Sequence, residues 1–258
     1  MSSPSLWSAG RYDAVGQRIA HIADQILDAV EARRALRGAA LIDLACGTGN
    51  AALGAAARGA RVTGVDITPE LIAIATERDG DHLVRWRVGD AADTALPTSS
   101  FQAAVSNMGI VFVDPDRQVA EINRLLEPGG VLAFSAWSRD ASNPLFDPVV
   151  AVLGAPARAG FSPDEWGDAD IVTERLAPHY DAIDVRPGLH RWEFESMPAA
   201  LHWLRAESPV HVATFQRADD AQRERLVSEF ESALRPYVGA SGEVAFTSSF
   251  VIVSAVRR

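Results

Sequence analysis

The chain of 258 residues is 48% hydrophobic and 22% charged, which is ordinary for a globular protein and sufficient for one substantial α/β domain with an added lobe. A formal net charge of −10 disfavours nucleic acid as a general partner, because phosphate binding needs a basic surface. The single cysteine, Cys46, excludes internal disulfides and cysteine-ligated zinc or iron–sulfur sites, and the absence of lysine excludes Schiff-base chemistry.

Location follows from the distribution of apolar residues. No apolar segment approaches the roughly 20 residues that a membrane-spanning helix requires. Residues 1–10 lack the apolar core of a signal peptide. We therefore expect a cytoplasmic protein without a membrane span.

The first predicted element is a helix. Apolar residues recur at helical spacing from Asp13 onward, at Val15, Ile19, Ile22, Ile26 and Val30. This period predicts one long amphipathic helix ahead of the first strand.

The stretch at residues 41–50 begins as a short apolar run and ends in a turn with Gly47 and Gly49, and a helix of small residues follows. Strand, glycine loop and helix form the first half of a nucleotide-binding crossover unit. Asp43 lies inside the strand, where an acid needs a cationic or donor partner. Asp66 comes 19 residues after Gly47, at the end of the next apolar run, where the ribose-binding acid of such a fold sits. The predicted ligand therefore carries a ribose and a positive charge near Asp43.

Alternating helix and strand signals continue to residue 137 and predict a parallel, doubly wound sheet with right-handed crossovers. The predicted elements are a helix capped by Thr68 and ended by Gly80, an alternating edge strand at 82–88, a strand at 101–106, a helix from Asp114 to Leu126, and a strand at 131–137.

The second half of the chain changes character. We predict an irregular connection or short lid helix at 140–160, a helix at 162–177, and a strand at 182–194 interrupted at Pro187 and Gly188. Helices follow within 196–236, and a last strand spans 244–256. The inserted helices are the natural candidate for a cap over a substrate site.

Five motifs stand in order along the first half of the chain. They read DLACGTGN at 43–50, VTGVDITPEL at 62–71, GDA at 89–91, VSNMG at 105–109 and LLEPGGVL at 125–132. Together they resemble the class I S-adenosylmethionine-dependent methyltransferases, especially the small-molecule branch of the ubiquinone/menaquinone-biosynthesis type (methyltransferase type 11-like). The resemblance covers about residues 11 to 137, and beyond Ser138 only the general layout matches.

This resemblance implies an α/β fold with a Rossmann-like, doubly wound, seven-stranded sheet, mostly parallel with the last strand antiparallel, and helical cap insertions. It implies a single domain over residues 1–258. Within it, 1–37 would form a helical segment over the cofactor, 38–137 the cofactor-binding core, and 138–258 the acceptor-site lid with the C-terminal strands.

The implied cofactor is S-adenosyl-L-methionine, with S-adenosyl-L-homocysteine as product. By resemblance Asp90 hydrogen-bonds the adenine amino group, and the residues after the fourth strand contact the methionine part. The implied cofactor-binding residues are Tyr12, Arg18, Asp43, Ala45, Cys46, Gly47, Thr48, Gly49, Asp66, Ile67, Gly89, Asp90, Ala91, Asn107 and Met108.

The implied reaction is an in-line displacement on a small-molecule acceptor (O-, N- or C-methylation), driven mainly by proximity and desolvation. It requires no protein nucleophile, and the catalytic residue stays unassigned. Methyl transfer to a hydroxyl acceptor would be accelerated by a general base. The candidates for this base are His179, His190, His202 and His211. Each of them is more readily explained as a surface or packed residue. No histidine pair has metal-ligand spacing, so no metal is expected, and the chain is expected to be a monomer or homodimer.

Three alternatives differ in what they leave unexplained. An NAD-dependent oxidoreductase shares the glycine loop and Asp66 but does not account for Asp43 or the GDA motif. A nucleic-acid base methyltransferase usually carries a Pro-Pro-aromatic motif after the fourth strand, where this chain has Ser106-Asn107-Met108-Gly109. A non-catalytic S-adenosylmethionine-binding protein stays open, because binding motifs do not establish turnover.

Overall fold

The computed structural model describes residues 10–155 and 160–258, with the backbone alone at Tyr12 and Asp13. Two compact units are distinguished. The sheet unit contains Ile19–Ser138, Gly160–Gly188 and Phe250–Arg258, and the helical unit contains the described parts of Met1–Arg18, Arg139–Ala159 and Leu189–Ser249.

The strands are β1 Ala40–Leu44, β2 Arg61–Asp66, β3 Val84–Val88, β4 Phe101–Asn107, β5 Leu126–Trp137, β6 Tyr180–Phe194 and β7 Val244–Arg257. The helices are α1 Tyr12–Arg18, α2 Ala20–Glu31, α3 Asn50–Ala57, α4 Pro69–Arg78, α5 Pro115–Leu125, α6 Asp147–Leu153, α7 Ala169–Leu176, α8 Met197–Ala206, α9 Pro209–Arg217 and α10 Asp220–Leu234. None of these described helices is long and apolar enough to cross a membrane.

The described strands form one seven-stranded sheet in the order β3-β2-β1-β4-β5-β7-β6. Strands β1 to β5 pair in parallel, and β7 runs antiparallel to β5. The predicted Rossmann-like sheet, including its antiparallel last strand, is confirmed. Chain order reverses between β1 and β4, and ligands bind at the carboxyl ends of strands beside such a switch point.

The two faces of the sheet carry different side chains near this point. On one face Ile42 and Leu44 are buried in the main apolar core together with Ile122 and Leu125 of α5. On the other face Asp43 stands in register with Gly64 of β2. The helix that covers this face, α3, is built of small residues, which lets its backbone approach β1 closely. The fold thus places an α3 backbone amide within reach of Asp43.

Three local predictions were wrong in detail. The single N-terminal helix divides at Ile19, whose φ of −102° and ψ of 10° lie outside the helical region. Strand β6 continues through Pro187 and Gly188, because it lies at the sheet edge, where proline is tolerated, and Gly188 leaves room for the Phe250 ring. The helix predicted at 162–177 is a 3-10 turn followed by α7, and Asp168 caps α7 by accepting from two backbone amides.

The helical unit contains the inserted helices that the sequence predicts, with α6 lying inside the connection at 140–160. Helix α10 begins with a capping box between Asp219 and Gln222. Its apolar residues at four-residue spacing, Leu226, Phe230 and Leu234, are all buried. Their burial explains why this long helix is stable despite its otherwise polar sequence.

Candidate functional site

The turn after β1 is held by hydrogen bonds from its own glycines. The Gly47 amide donates to Asp66 Oδ2 (2.9 Å), and the Gly49 amide donates to the Cys46 carbonyl (2.9 Å). Both glycines have left-handed backbones, with φ of 55° and 87°, that other residues adopt only with strain. A Cβ at Gly49 would also collide with the indole ring of Trp86. Backbone conformation and space therefore both favour glycine at position 49.

Asp43 is a buried acid beneath this turn, with 1% of its surface exposed. Its Oδ2 accepts a hydrogen bond from the Ala52 amide of α3 (2.9 Å), while Oδ1 is buried with no hydrogen-bond partner among the described residues. Burial raises the pKa of Asp43 from 3.8 to about 8, and the nearby charge of Asp66 adds to this, although the Ala52 bond opposes it. The site therefore contains a carboxyl oxygen that requires a donor or a cation.

Asp66 closes the turn from the end of β2. Besides Gly47, it accepts a hydrogen bond from the Thr68 amide at Oδ1 (2.9 Å). Burial raises its pKa, and the bonds from Thr68 and Gly47 act in the opposite direction. Each carboxylate oxygen has a second lone pair, so Asp66 can still accept from a ligand hydroxyl.

The GDA motif lies next to Asp66, because the Gly89 amide donates to the Asp66 carbonyl (2.9 Å). Asp90 accepts from the Ala92 amide at Oδ1 (2.8 Å) and pairs at Oδ2 with the Arg117 guanidinium (3.1 Å). Gln118 Nε2 donates to the carbonyl of Ala91 (3.1 Å). Arg117 and Gln118 were missed by the sequence reasoning, because nothing in the pattern of α5 distinguishes them from other polar residues.

Two residues beside the switch point have left-handed backbones that are unusual for their type. They are Ala45, with φ of 52°, and Met108, with φ of 57°. Ser135 Oγ accepts from the Met108 amide (3.0 Å) and donates to Asn107 Oδ1 (2.8 Å), which fixes the end of β4. Such strain persists only where the surroundings impose it and is concentrated at functional sites. It supports the predicted role of this edge.

Two predicted cofactor residues lie in the helical unit. Tyr12 is the first residue of α1, and its side chain is outside the described part. Arg18 donates to the Glu193 carbonyl (2.8 Å), and its guanidinium lies 4.7 Å from the centre of the Phe194 ring. The other predicted cofactor residues belong to the sheet unit. The contacts of Tyr12 and Arg18 with a cofactor stay predictions.

Cys46 and Ile67 complete the predicted set. Burial, together with the charges of Asp43 and Asp66, raises the pKa of the Cys46 thiol, so the thiol stays neutral and does not act as a nucleophile. Ile67 follows Asp66 directly and has 62% of its surface exposed. An exposed apolar side chain at this edge is suited to contact a flat aromatic ligand.

The histidine candidates differ in accessibility. His190 is buried with its ring edge-on to Trp192, at 4.5 Å between centroids. His211 is buried, with Nε2 donating to the Leu145 carbonyl (2.7 Å) and Nδ1 accepting from Ser208 Oγ (2.6 Å). Burial lowers the pKa of His211 to about 4, against the opposing effect of the Leu145 bond, so the ring is neutral near pH 7.

His202 is exposed and lines a cavity of about 350 Å³ in the helical unit, together with Arg18, Glu193 and Trp203. Of the four candidates, His179 and His202 are exposed, and His202 also lines this cavity. Among residues 10–155 and 160–258, no three histidine, cysteine or acidic side chains are grouped so as to hold a metal ion.

Comparison with known proteins shows a family to which the central part of the chain is similar. Residues 42–134, which contain the glycine loop and all three acids, match the family model described as a methyltransferase domain. This central part of the chain is therefore similar to a methyltransferase domain. The match agrees with the predicted family and with the predicted methyltransferase class.

The relatives cover parts of the chain. An uncharacterised protein of Mycobacterium tuberculosis is 28% identical over 190 residues, which are 71% of this chain and 68% of that protein. The ubiquinone biosynthesis O-methyltransferase of Xanthomonas oryzae is 36% identical over 134 residues, or 50% of this chain and 56% of that enzyme. The structure of phosphoethanolamine N-methyltransferase 2 of Haemonchus contortus, solved with S-adenosylhomocysteine, matches with a TM-score of 0.56 at 20% identity and covers 91% of this chain. This chain spans about half of that enzyme, 52% of its length, and the likeness concerns the fold.

Proposed function

We propose that the methyltransferase domain transfers a methyl group from S-adenosylmethionine to a small-molecule acceptor. The observation that carries the proposal is the buried Oδ1 of Asp43, which has no hydrogen-bond partner among the described residues and lies beside a second acid, Asp66. Two acids beneath a glycine turn create a site for a cationic adenosyl ligand.

The hydrogen bonds of the turn argue against a dinucleotide. A pyrophosphate is normally held by free amides of the glycine loop and the helix that follows. Here the amides of Gly47 and Gly49 are already bound within the protein, and Asp43 occupies the amide of Ala52 in the first turn of α3. In their ionised form these two acids would repel a phosphate, whereas they attract a sulfonium or an ammonium group.

Each acid has a distinct task in this proposal. Asp66 accepts from the ribose hydroxyls, and Asp90 with the Ala91 amide recognises the adenine edge, which Ile67 covers with an apolar surface. Asp43 faces the positively charged methionine part, and Asn107 and Met108 border it from the end of β4. Their positions at neighbouring strand ends support these roles.

The sulfonium of the donor supplies the chemistry, because the methyl carbon on a positively charged sulfur accepts electrons readily. A lone pair of the acceptor atom forms the new bond to this carbon while the carbon–sulfur pair leaves with the sulfur, giving a neutral thioether. The protein holds the two partners in line and excludes water, which can contribute about 7–11 kcal/mol. Because positive charge leaves the sulfur in the transition state, a water-poor site opposes the reaction less than bulk water does.

The acceptor is proposed to be a small molecule, in keeping with the printed names of the ubiquinone-biosynthesis and phosphoethanolamine enzymes. If it reacts through a hydroxyl, His202 is the favoured base candidate, because it is exposed and lines the cavity of the helical unit. A monomeric or homodimeric state and a cytoplasmic location belong to the proposal as expectations from the sequence.

Titration calorimetry with S-adenosylmethionine, S-adenosylhomocysteine and NAD tests the proposal. We expect the first two to bind and NAD to give no heat, and binding of NAD alone would overturn the assignment. Incubation of the protein with a metabolite pool and methyl-labelled S-adenosylmethionine then identifies the acceptor by its gain of label. If the donor binds but no metabolite becomes labelled beyond a protein-free control, the non-catalytic alternative is favoured.

A further inference from the structure

We propose that Arg78 is a positioning residue for the donor, acting from behind the glycine turn without touching the ligand. The inference rests on the proposed function, because it concerns the same donor site. Arg78 ends α4, and its guanidinium reaches back to the turn after β1. Sequence reasoning gave it no role, since an arginine in the last turn of a helix is explained by the helix dipole alone.

The contacts of Arg78 are those of a clamp. Nη1 donates to the carbonyl of Thr48 (2.6 Å) and lies 3.1 Å from its hydroxyl oxygen, while Nη2 donates to Asn50 Oδ1 (2.9 Å). One planar guanidinium thus joins the residue between the two glycines to the first residue of α3. Charged donors form shorter and stronger hydrogen bonds than neutral ones, and the planar fork of arginine fixes two acceptors in one geometry.

The turn needs such support because its own residues restrain its conformation only weakly. Gly49 occupies the N-cap position of α3 and has no side chain to cap the helix, and its left-handed φ of 87° gives the turn an unusual shape. Glycine also leaves the unbound turn many alternative conformations. Arg78 restrains the turn at Thr48 and Asn50, while Asp66 restrains it at Gly47.

Both restraints come from the same crossover unit, since Asp66 ends β2 and Arg78 ends the helix that follows. The glycine turn and the acid proposed to bind the ribose are therefore held as one rigid piece. If Arg78 is removed, the turn samples other conformations before the donor binds. The apparent donor affinity then falls in proportion to the fraction of molecules whose turn has the binding-competent conformation. The methyl-transfer step itself does not change once the donor is bound.

The test compares Arg78→Met with Arg85→Met, a control that removes the same charge from an exposed position on the edge strand β3. We expect Arg78→Met to raise the calorimetric Kd for S-adenosylmethionine about tenfold, or about 1.4 kcal/mol. The kcat at saturating donor should stay within about twofold of the parent. Amide hydrogen exchange in residues 47–53 should accelerate in Arg78→Met and stay at the parent rate in Arg85→Met. Arg78→Lys, which keeps the charge without the fork, should have an exchange rate between those of the parent and Arg78→Met.

A double-mutant cycle with Asn50→Ala separates the clamp from general destabilisation. Because Asn50 accepts one of the Arg78 bonds, the combined variant should lose less affinity than the sum of the single variants, whereas additive losses would contradict the clamp. If the parent protein binds the donor and Arg78→Met binds it equally well, the clamp is refuted and the proposed function stands. If the parent does not bind the donor, it is the proposed function that fails.

Discussion

Replacing Asp43 with Asn should have opposite effects on stability and on donor binding. The side chain is isosteric, and its carbonyl oxygen can keep the bond from the Ala52 amide, so the change removes mainly the charge. Asp43 has almost no exposed surface, and its Oδ1 has no partner among the described residues. In the ligand-free protein the ionised carboxylate destabilises the fold, whereas in the donor complex it binds the positively charged donor.

The pKa of Asp43 gives the size of the stability effect. A rise from 3.8 to about 8 corresponds to on the order of 5 kcal/mol of destabilisation by the ionised carboxylate, at about 1.4 kcal/mol per pKa unit. The Asn variant leaves an unpartnered amide N–H in the same place, which costs roughly 1–3 kcal/mol. The expected net gain is about 2–4 kcal/mol, which at about 2–4 °C per kcal/mol for a chain of this size raises the Tm by roughly 4–16 °C.

The gain should depend on pH in a defined direction. Because the folded-state pKa is raised, the native protein binds more protons than the unfolded chain between pH 3.8 and about 8, so its stability falls as pH rises through this window. The advantage of Asp43→Asn should therefore be greatest at and above pH 8 and disappear below about pH 4. Differential scanning calorimetry of both proteins across this range measures it.

Asp79 provides the matched control. It is also buried, but hydrogen bonds from the amides of Leu83 and Val84 and from Trp86 outweigh the effect of burial and lower its pKa. Asp79→Asn should therefore destabilise the protein at neutral pH, where Asp43→Asn stabilises it. At pH 8 Asp43→Asn should bind S-adenosylmethionine about 10- to 100-fold more weakly, the loss of a hydrogen bond to a charged group. Unchanged affinity, or a fall in Tm, would refute the reasoning.

Four further outcomes follow from the same contacts. Asp66→Ala should weaken calorimetric binding of S-adenosylmethionine by on the order of 1–3 kcal/mol through lost ribose bonds, and an unaltered affinity would count against the pocket. In the parent, the Kd for the donor should fall by up to tenfold per pH unit as pH rises toward about 8 and then level off, because binding a cation ionises Asp43, and Asp43→Asn should abolish this slope. Hydrogen bonds from Arg124 and Thr94 outweigh the effect of burial on Glu121 and lower its pKa to about 2. Glu121 should therefore contribute stability above about pH 4.5 that is lost as pH falls toward 2. Glu121→Gln should flatten that part of the acid-unfolding curve. His211, with its pKa lowered to about 4, should contribute stability that falls as pH drops from 6.5 to 4. His211→Gln should therefore lower the Tm at pH 7 while kcat is retained. A large loss of kcat at unchanged Tm would instead identify His211 as a catalytic base.

The sequence was sufficient where structure is set locally. The glycine turn, Asp43 and Asp66 lie within one strand–helix–strand unit, whose connection geometry follows from chirality and from the conformations that glycine allows. Alternation of helix and strand then predicted the sheet, and the spacing of Leu226, Phe230 and Leu234 predicted the buried face of α10. Such features depend on period and turn chemistry, which a single sequence carries.

The sequence was insufficient where a side chain acts over a long separation. Arg78 reaches Thr48 across 30 residues, and Gln118 reaches Ala91 across 27. Neither contact has a local signature, because each depends on the packing of a whole helix against the sheet. The break in the N-terminal helix at Ile19 was likewise not predictable from the sequence. The helical spacing of apolar residues continues through Ile19, although its backbone leaves the helical conformation.

The arrangement around α3 explains how a phosphate-binding architecture can accept a cation. The N-terminus of a helix carries partial positive charge and exposed amides, which favour anions. In this chain Asp43, from β1, accepts a hydrogen bond from the Ala52 amide, and Asp66 accepts one from the Gly47 amide before the helix begins. The two carboxylates offset the helix dipole and replace donors with acceptors. A loop that resembles a dinucleotide fingerprint therefore presents negative charge to its ligand, and the difference arises from one acid placed inside the preceding strand.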